Sequence, residues 1–251
     1  MSHALRERMA VRPDITFGPF RFIEALPWLV LAAAMRVMAF GTPGLGIVFI
    51  GIATIAVLNA FIVVTQRSIE LAGGQSGLAD LTLSEIFRLS LTILKWIGSL
   101  MLLAALAMLA TGNKALAPLL MLGIDGMAFA QSGFLVMLWS AITACLILLM
   151  IVEAGRREGS TGLLAIVPDL IRHRFWLLAG IVVLAASYFV LGALQDVVRE
   201  WMVAWWRQAE MNQLLKNTIL FSYIFSFAML RLWMTLLVLT FALKQSYIRA
   251  G

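Results

Sequence analysis

Charged residues are scarce in this chain. Only 13% of its 251 residues are Asp, Glu, Lys or Arg, whereas about 25% is usual for a soluble domain. Hydrophobic residues make up 62% of the sequence, and the mean hydropathy is +0.97. The apolar residues occur in long runs that a soluble core could not bury, so lipid must be their solvent. The composition therefore predicts an integral membrane protein that is embedded in the lipid bilayer.

Residues that carry chemistry are also few. Cys145 is the only cysteine, so an intrachain disulfide is excluded. The two histidines, His3 and His173, both lie outside the predicted spans, so a buried histidine ligand for haem is not supported. The sequence has no metal-ligand spacing, no Gly-rich phosphate loop and no serine-nucleophile motif. We expect no catalytic, cofactor-binding or metal-binding residues, and favour a protein that is not an enzyme.

Six apolar segments are long enough to cross a bilayer, which takes about 20 residues each. Backbone groups in lipid must form hydrogen bonds within the chain, and no segment alternates like a barrel strand, so each span should be an α-helix. The sequence predicts an all-α, polytopic bundle in one transmembrane domain, residues 1–251. The predicted spans cover 22–40, 45–65, 92–109, 133–152, 175–194 and 218–243.

The distribution of Lys and Arg predicts the orientation. If residues 1–21 are a cytoplasmic N-terminal segment, 13 basic residues lie inside and four lie outside. That bias places both termini in the cytoplasm, as in a bacterial inner membrane protein. The net charge of +6 does not indicate nucleic acid, because the basic residues flank apolar runs and form no single patch.

The segment 195–217 predicts an amphipathic helix in the plane of the outer membrane surface. Asp196, Arg199 and Glu200 fall on one helical face, and apolar residues fall on the other. Trp201, Trp205 and Trp206 could then form a docking surface or a lid, although a simple anchor for a long loop explains the same pattern.

Three other connections carry structure. A polar stripe from residue 85 to residue 99, which includes Lys95, predicts that the third span begins as a surface helix. Residues 163–175 are predicted to lie on the cytoplasmic surface. Residues 115–132, which include Asp125, could form a re-entrant turn, but the pattern favours an uncovered surface loop.

Arg231 is the residue that topology explains least. A charge in the middle of a span is costly and should face the bundle interior. Thr235 shares its face, and the candidate partners are Asn59, a carbonyl of another span, or Asp125. The site could bind a substrate or a lipid headgroup, or it could be a hydrogen-bonded hub between helices. Lys95 could belong to the same polar site, and Asn59 is most simply a link between helices.

Two functional hypotheses follow. The first is a non-catalytic subunit or a lipid-associated component of a membrane assembly, together with other membrane subunits or further copies of itself. The second is a transporter or permease component for an anionic or amphipathic solute, with Arg231 and Lys95 along the route. An enzyme acting on a lipid-linked substrate is the weakest reading.

Overall fold

A computed structural model describes residues 17–42, 44–71, 82–121, 133–156, 161–208 and 212–250. All regular secondary structure in these ranges is α-helical. The eight helices are α1 Leu26–Gly41, α2 Gly46–Leu71, α3 Leu83–Ala110, α4 Leu116–Met121, α5 Phe134–Arg156, α6 Leu163–Arg172, α7 Arg174–Gln208 and α8 Gln213–Ala250. The prediction of an all-α membrane bundle is confirmed.

Five helices, α2, α3, α5, α7 and α8, are long and apolar enough to cross a membrane. The chain is thus an integral membrane protein with several spans. The first predicted span, 22–40, forms the shorter helix α1, whose 16 residues extend only about 24 Å. Pro27 lies in its first turn, where the absent N–H costs nothing, and Gly44 (φ 94°) supplies the left-handed residue of the turn into α2.

Helix α5 is the centre of the bundle. Most of its residues between 136 and 154 are buried, and it packs against α2, α3, α4, α6, α7 and α8. The C-terminal half of α2 is equally enclosed, with α1 packed along it and α1 also touching α8. These contacts place the few polar side chains of α2 and α5 inside protein, not in lipid.

Thr82 is the N-cap of α3: its side chain accepts the backbone N–H of Glu85, and the Glu85 carboxylate accepts the Thr82 N–H at 2.7 Å. This capping box fixes the start of the helix. From there α3 continues without a break to Ala110, so the polar stripe and the third predicted span belong to one helix, and the surface placement of the stripe stays a prediction. The six-residue α4 packs against α3 and α5 and occupies the first part of the 115–132 segment. Asp125 lies outside the described residues.

Helices α7 and α8 form a long antiparallel pair. Close contact is possible at Gly180, where a Cβ would lie 2.8 Å from the Cβ of Ala242. The 35 residues of α7 and the 38 of α8 correspond to about 52 Å and about 57 Å, against a hydrocarbon core of about 30 Å. The pair is therefore longer than a span requires.

The prediction of a separate in-plane helix over 195–217 differs from this arrangement. Residues 195–208 continue α7 beyond Leu194, and residues 213–217 already belong to α8. The physical reason is the pairing itself, because α8 packs alongside α7 past Leu194 and stabilises it as one continuous helix. We call residues 195–208 and 213–227 the α7–α8 extension.

Candidate functional site

The α7–α8 extension contains an apolar groove of about 680 Å³. A groove of this size falls within the range of ligand pockets. Helix α7 contributes Val198, Trp201, Met202 and Trp205, and helix α8 contributes Ile219, Ser222, Tyr223, Ser226 and Phe227. The two serines leave space on α8, and the indole and phenyl rings form the walls.

The structure brings two of the three predicted tryptophans into this groove. Trp201 is 81% exposed and Trp205 is also exposed, so both present large apolar surfaces to the surroundings. Trp206 is half-buried and lies outside the groove lining. Trp201 and Trp205 thus line a groove that α7 and α8 form together, and the docking role stays a prediction.

A polar ladder lies at the bundle end of the groove. The Arg231 side chain is only 6% exposed, and its guanidinium donates a hydrogen bond to Oε1 of Gln195 on α7. The backbone carbonyl of Gln195 accepts the Tyr223 hydroxyl at 3.1 Å. Gln195 thus joins the buried arginine to a residue of the groove.

One turn further along α8, Thr235 continues the same ladder. Its hydroxyl donates to the Arg231 carbonyl at 2.7 Å and lies 2.6 Å from the Tyr188 hydroxyl of α7. The predicted sharing of one face by Arg231 and Thr235 is seen, and their partners come from α7. The sequence suggested Asn59, a carbonyl of another span, or Asp125 as a partner for Arg231 and did not indicate Gln195; Asp125 lies outside the described residues.

Asn59 and Lys95 lie elsewhere. Asn59 is fully buried in α2 and its Oδ1 accepts the Ser90 hydroxyl of α3, which is the link between helices that the sequence indicated. Lys95 lies on the exposed side of α3. The four candidate polar residues therefore do not form one site, and the structure does not bring Lys95 to Arg231.

A second charged cluster, which the sequence reasoning missed, joins α5 to α6. Glu153 and Asp169 are both buried. The Arg156 guanidinium lies 3.6 Å from the Glu153 carboxylate and forms a hydrogen-bonded ion pair with Asp169. The sequence predicted residues 163–175, and Asp169 with them, to lie on the cytoplasmic surface, whereas the Asp169 side chain is buried.

His173, directly after α6, extends this buried polar region toward α8. Its ring is buried, and Nδ1 lies 2.5 Å from the Ser246 hydroxyl. The signal in the sequence was the spacing of Ile166, Asp169 and His173, which puts all three on one helical face. That face is turned into the protein.

These residues supply contacts for binding and for packing. Among the described residues, no group of three or more His, Cys, Asp or Glu side chains is arranged to hold a metal ion. The groove offers apolar and aromatic contact, and the buried charges link helices. Comparison with protein-family models, curated proteins and solved structures found no match for this chain.

Proposed function

We propose that the protein is a non-catalytic component of a membrane assembly and that the α7–α8 extension docks an apolar helix of another membrane subunit. The observation that carries the proposal is the open aromatic groove on a helical pair that is longer than a span requires. Exposed apolar patches of this kind are typical of interaction sites. Tryptophan and tyrosine are also the residues that most often dominate interface energies.

The composition of the extension favours contact with a protein partner over exposure to lipid hydrocarbon or to water. Asp196, Arg199 and Glu200 would be costly in hydrocarbon, while Trp201 and Trp205 expose apolar surface that water does not favour. A groove between two helices suits a third helix, whose side chains enter it at three- and four-residue spacing. Ser222 and Ser226, one turn apart, permit a close approach of its backbone.

Photocrosslinking in native membranes tests this proposal. A photoreactive amino acid replaces Trp201 or, as a matched control, Val190, which lies on the same helix and is 67% exposed. We expect a discrete protein adduct from position 201 and lipid adducts alone from position 190. Identical products at both positions, or none with protein at 201, would contradict the proposal. An adduct with twice the mass of the chain would indicate that the partner is a second copy of this protein and not a different subunit.

A substitution that fills the groove provides a second test of the same proposal. Ser226→Leu adds a bulky side chain to the groove lining and should abolish the position-201 adduct. Thr218→Leu, on an exposed part of the same helix outside the lining, should leave it unchanged. If the two variants give comparable yields of folded protein, the loss of the position-201 adduct results from blocked docking and not from poor expression.

A further inference from the structure

Helix α6, at the opposite end of α7 from the extension, exposes an apolar stripe and buries its one carboxylate beside the core. Ile166 and Asp169 are buried. Leu164, Val167 and Ile171 are exposed, Leu164 by 84%, and they share one face at three- and four-residue spacing. The apolar stripe therefore faces away from the protein, and the carboxylate faces into it.

The exposed apolar surface continues across the junction with α7. Phe175, in the first turn of α7, is exposed, and the Arg174 guanidinium lies 4.8 Å from the centre of its ring. Within the described part of the chain, the main helix contacts of α6 are with α5 and α7. Its outer face is thus left to whatever surrounds the protein.

Among the residues that the structure describes, the charge on the exposed face of α6 and its junction with α7 has one sign. Asp169 is the only acidic residue of α6, and its pairing with Arg156 removes it from the exposed face. Arg172 and Arg174, on either side of His173, are both exposed. Burying the carboxylate therefore leaves two guanidinium groups beside an exposed apolar stripe.

We propose that the exposed face of α6 lies in the headgroup region of the bilayer and that Arg172 and Arg174 bind the phosphates of anionic phospholipids. An apolar face with flanking cations is the pattern of a helix in the membrane plane. Guanidinium groups bind phosphate oxygens with paired hydrogen bonds. Each basic residue near an anionic surface favours binding by roughly fivefold. This surface is independent of the groove proposed to bind a subunit.

Fluorescence quenching by lipid tests the proposal on the full chain. Cys145→Ala provides a background without cysteine, and Leu164→Cys carries a bimane label. The protein is reconstituted in phosphatidylcholine vesicles that contain dilute spin-labelled phosphatidylglycerol or spin-labelled phosphatidylcholine. We expect both lipids to quench the label, and the anionic one at least about fivefold more effectively, which is the preference that a single arginine supplies. The control label, at Val190→Cys, should show no such preference.

Two further measurements separate lipid contact from charge selection. The pair Arg172→Gln and Arg174→Gln should remove the preference and keep the quenching by phosphatidylcholine. High salt should do the same without any substitution, because it screens exposed charges. An unquenched Leu164→Cys label would overturn the membrane placement. Equal quenching by the two lipids, or a preference that survives both changes, would overturn the anionic site.

Discussion

At the scale of single residues, the pairing of Arg231 with Gln195 explains how a charge is retained in the middle of α8. The guanidinium is satisfied by a neutral amide on α7, and Gln195 also accepts the Tyr223 hydroxyl through its carbonyl. Sequence reasoning could identify the costly charge, but it could not select Gln195 because that residue was assigned to a different helix.

A double-mutant cycle measures this pairing. Arg231→Met and Gln195→Leu each remove one partner, and the measured quantity is the free energy of unfolding of the single and double variants. We expect a coupling free energy of about 1.5–3 kcal/mol between the two substitutions, which is the range for hydrogen bonds to charged groups. Steric trapping in detergent micelles gives the required values. The control Lys95→Met, on the exposed side of α3, should change stability by less than about 0.5 kcal/mol.

Additive effects of the two substitutions would show that Arg231 and Gln195 do not interact. The buried arginine would then have to be satisfied by other groups alone. A stability change at Lys95 as large as that at Arg231 would mean that the exposed stripe of α3 is covered by protein.

At the scale of elements, the sequence predicts helices well and their junctions poorly. The apolar runs identify α2, α3, α5, α7 and α8, because a helix in lipid needs an apolar surface of that length. The amphipathic pattern over 195–208 also predicts a helix correctly. It cannot say whether that helix bends away from the preceding span, because periodicity describes a face and not the direction of an axis.

Helix α6 illustrates a related limit. Its pattern separates an apolar face from a face with Asp169 and His173, but in a membrane protein either face can meet the protein. Here the ion pair with Arg156 and the contact with Ser246 turn the polar face inward. These partners lie 13 and 73 residues away in the chain, where local periodicity has no information.

The continuity of α7 is testable by a distance. Spin labels at Leu178→Cys and Ala204→Cys, both at exposed positions of α7 and in the Cys145→Ala background, should lie about 39 Å apart along one straight helix. A right-angle bend at Leu194 would shorten the separation to about 28 Å. Electron–electron double resonance distinguishes the two values, and a distribution centred near the shorter one would restore the separate in-plane helix.

At the scale of the whole molecule, the protein is a membrane bundle centred on α5, with a paired-helix extension at one end of α7 and the amphipathic α6 at the other. The sequence predicted the bundle because its apolar runs have no alternative solvent. The predicted orientation rests on the 13 to four distribution of basic residues and stays a prediction. The groove could not be foreseen, because it depends on residues of two helices that are adjacent only in the fold.

The most direct test of this account is the reactivity of cysteines along the exposed side of α7. Val182, Val190, Val197 and Ala204 are all exposed from the protein, so only the surrounding medium can distinguish them. In intact cells, a membrane-impermeant maleimide should label Val197→Cys and Ala204→Cys from outside and leave Val182→Cys and Val190→Cys unlabelled. Equal labelling of all four positions would contradict the membrane placement of α7, and protection of all four would contradict an extension that reaches beyond the bilayer on the outer side.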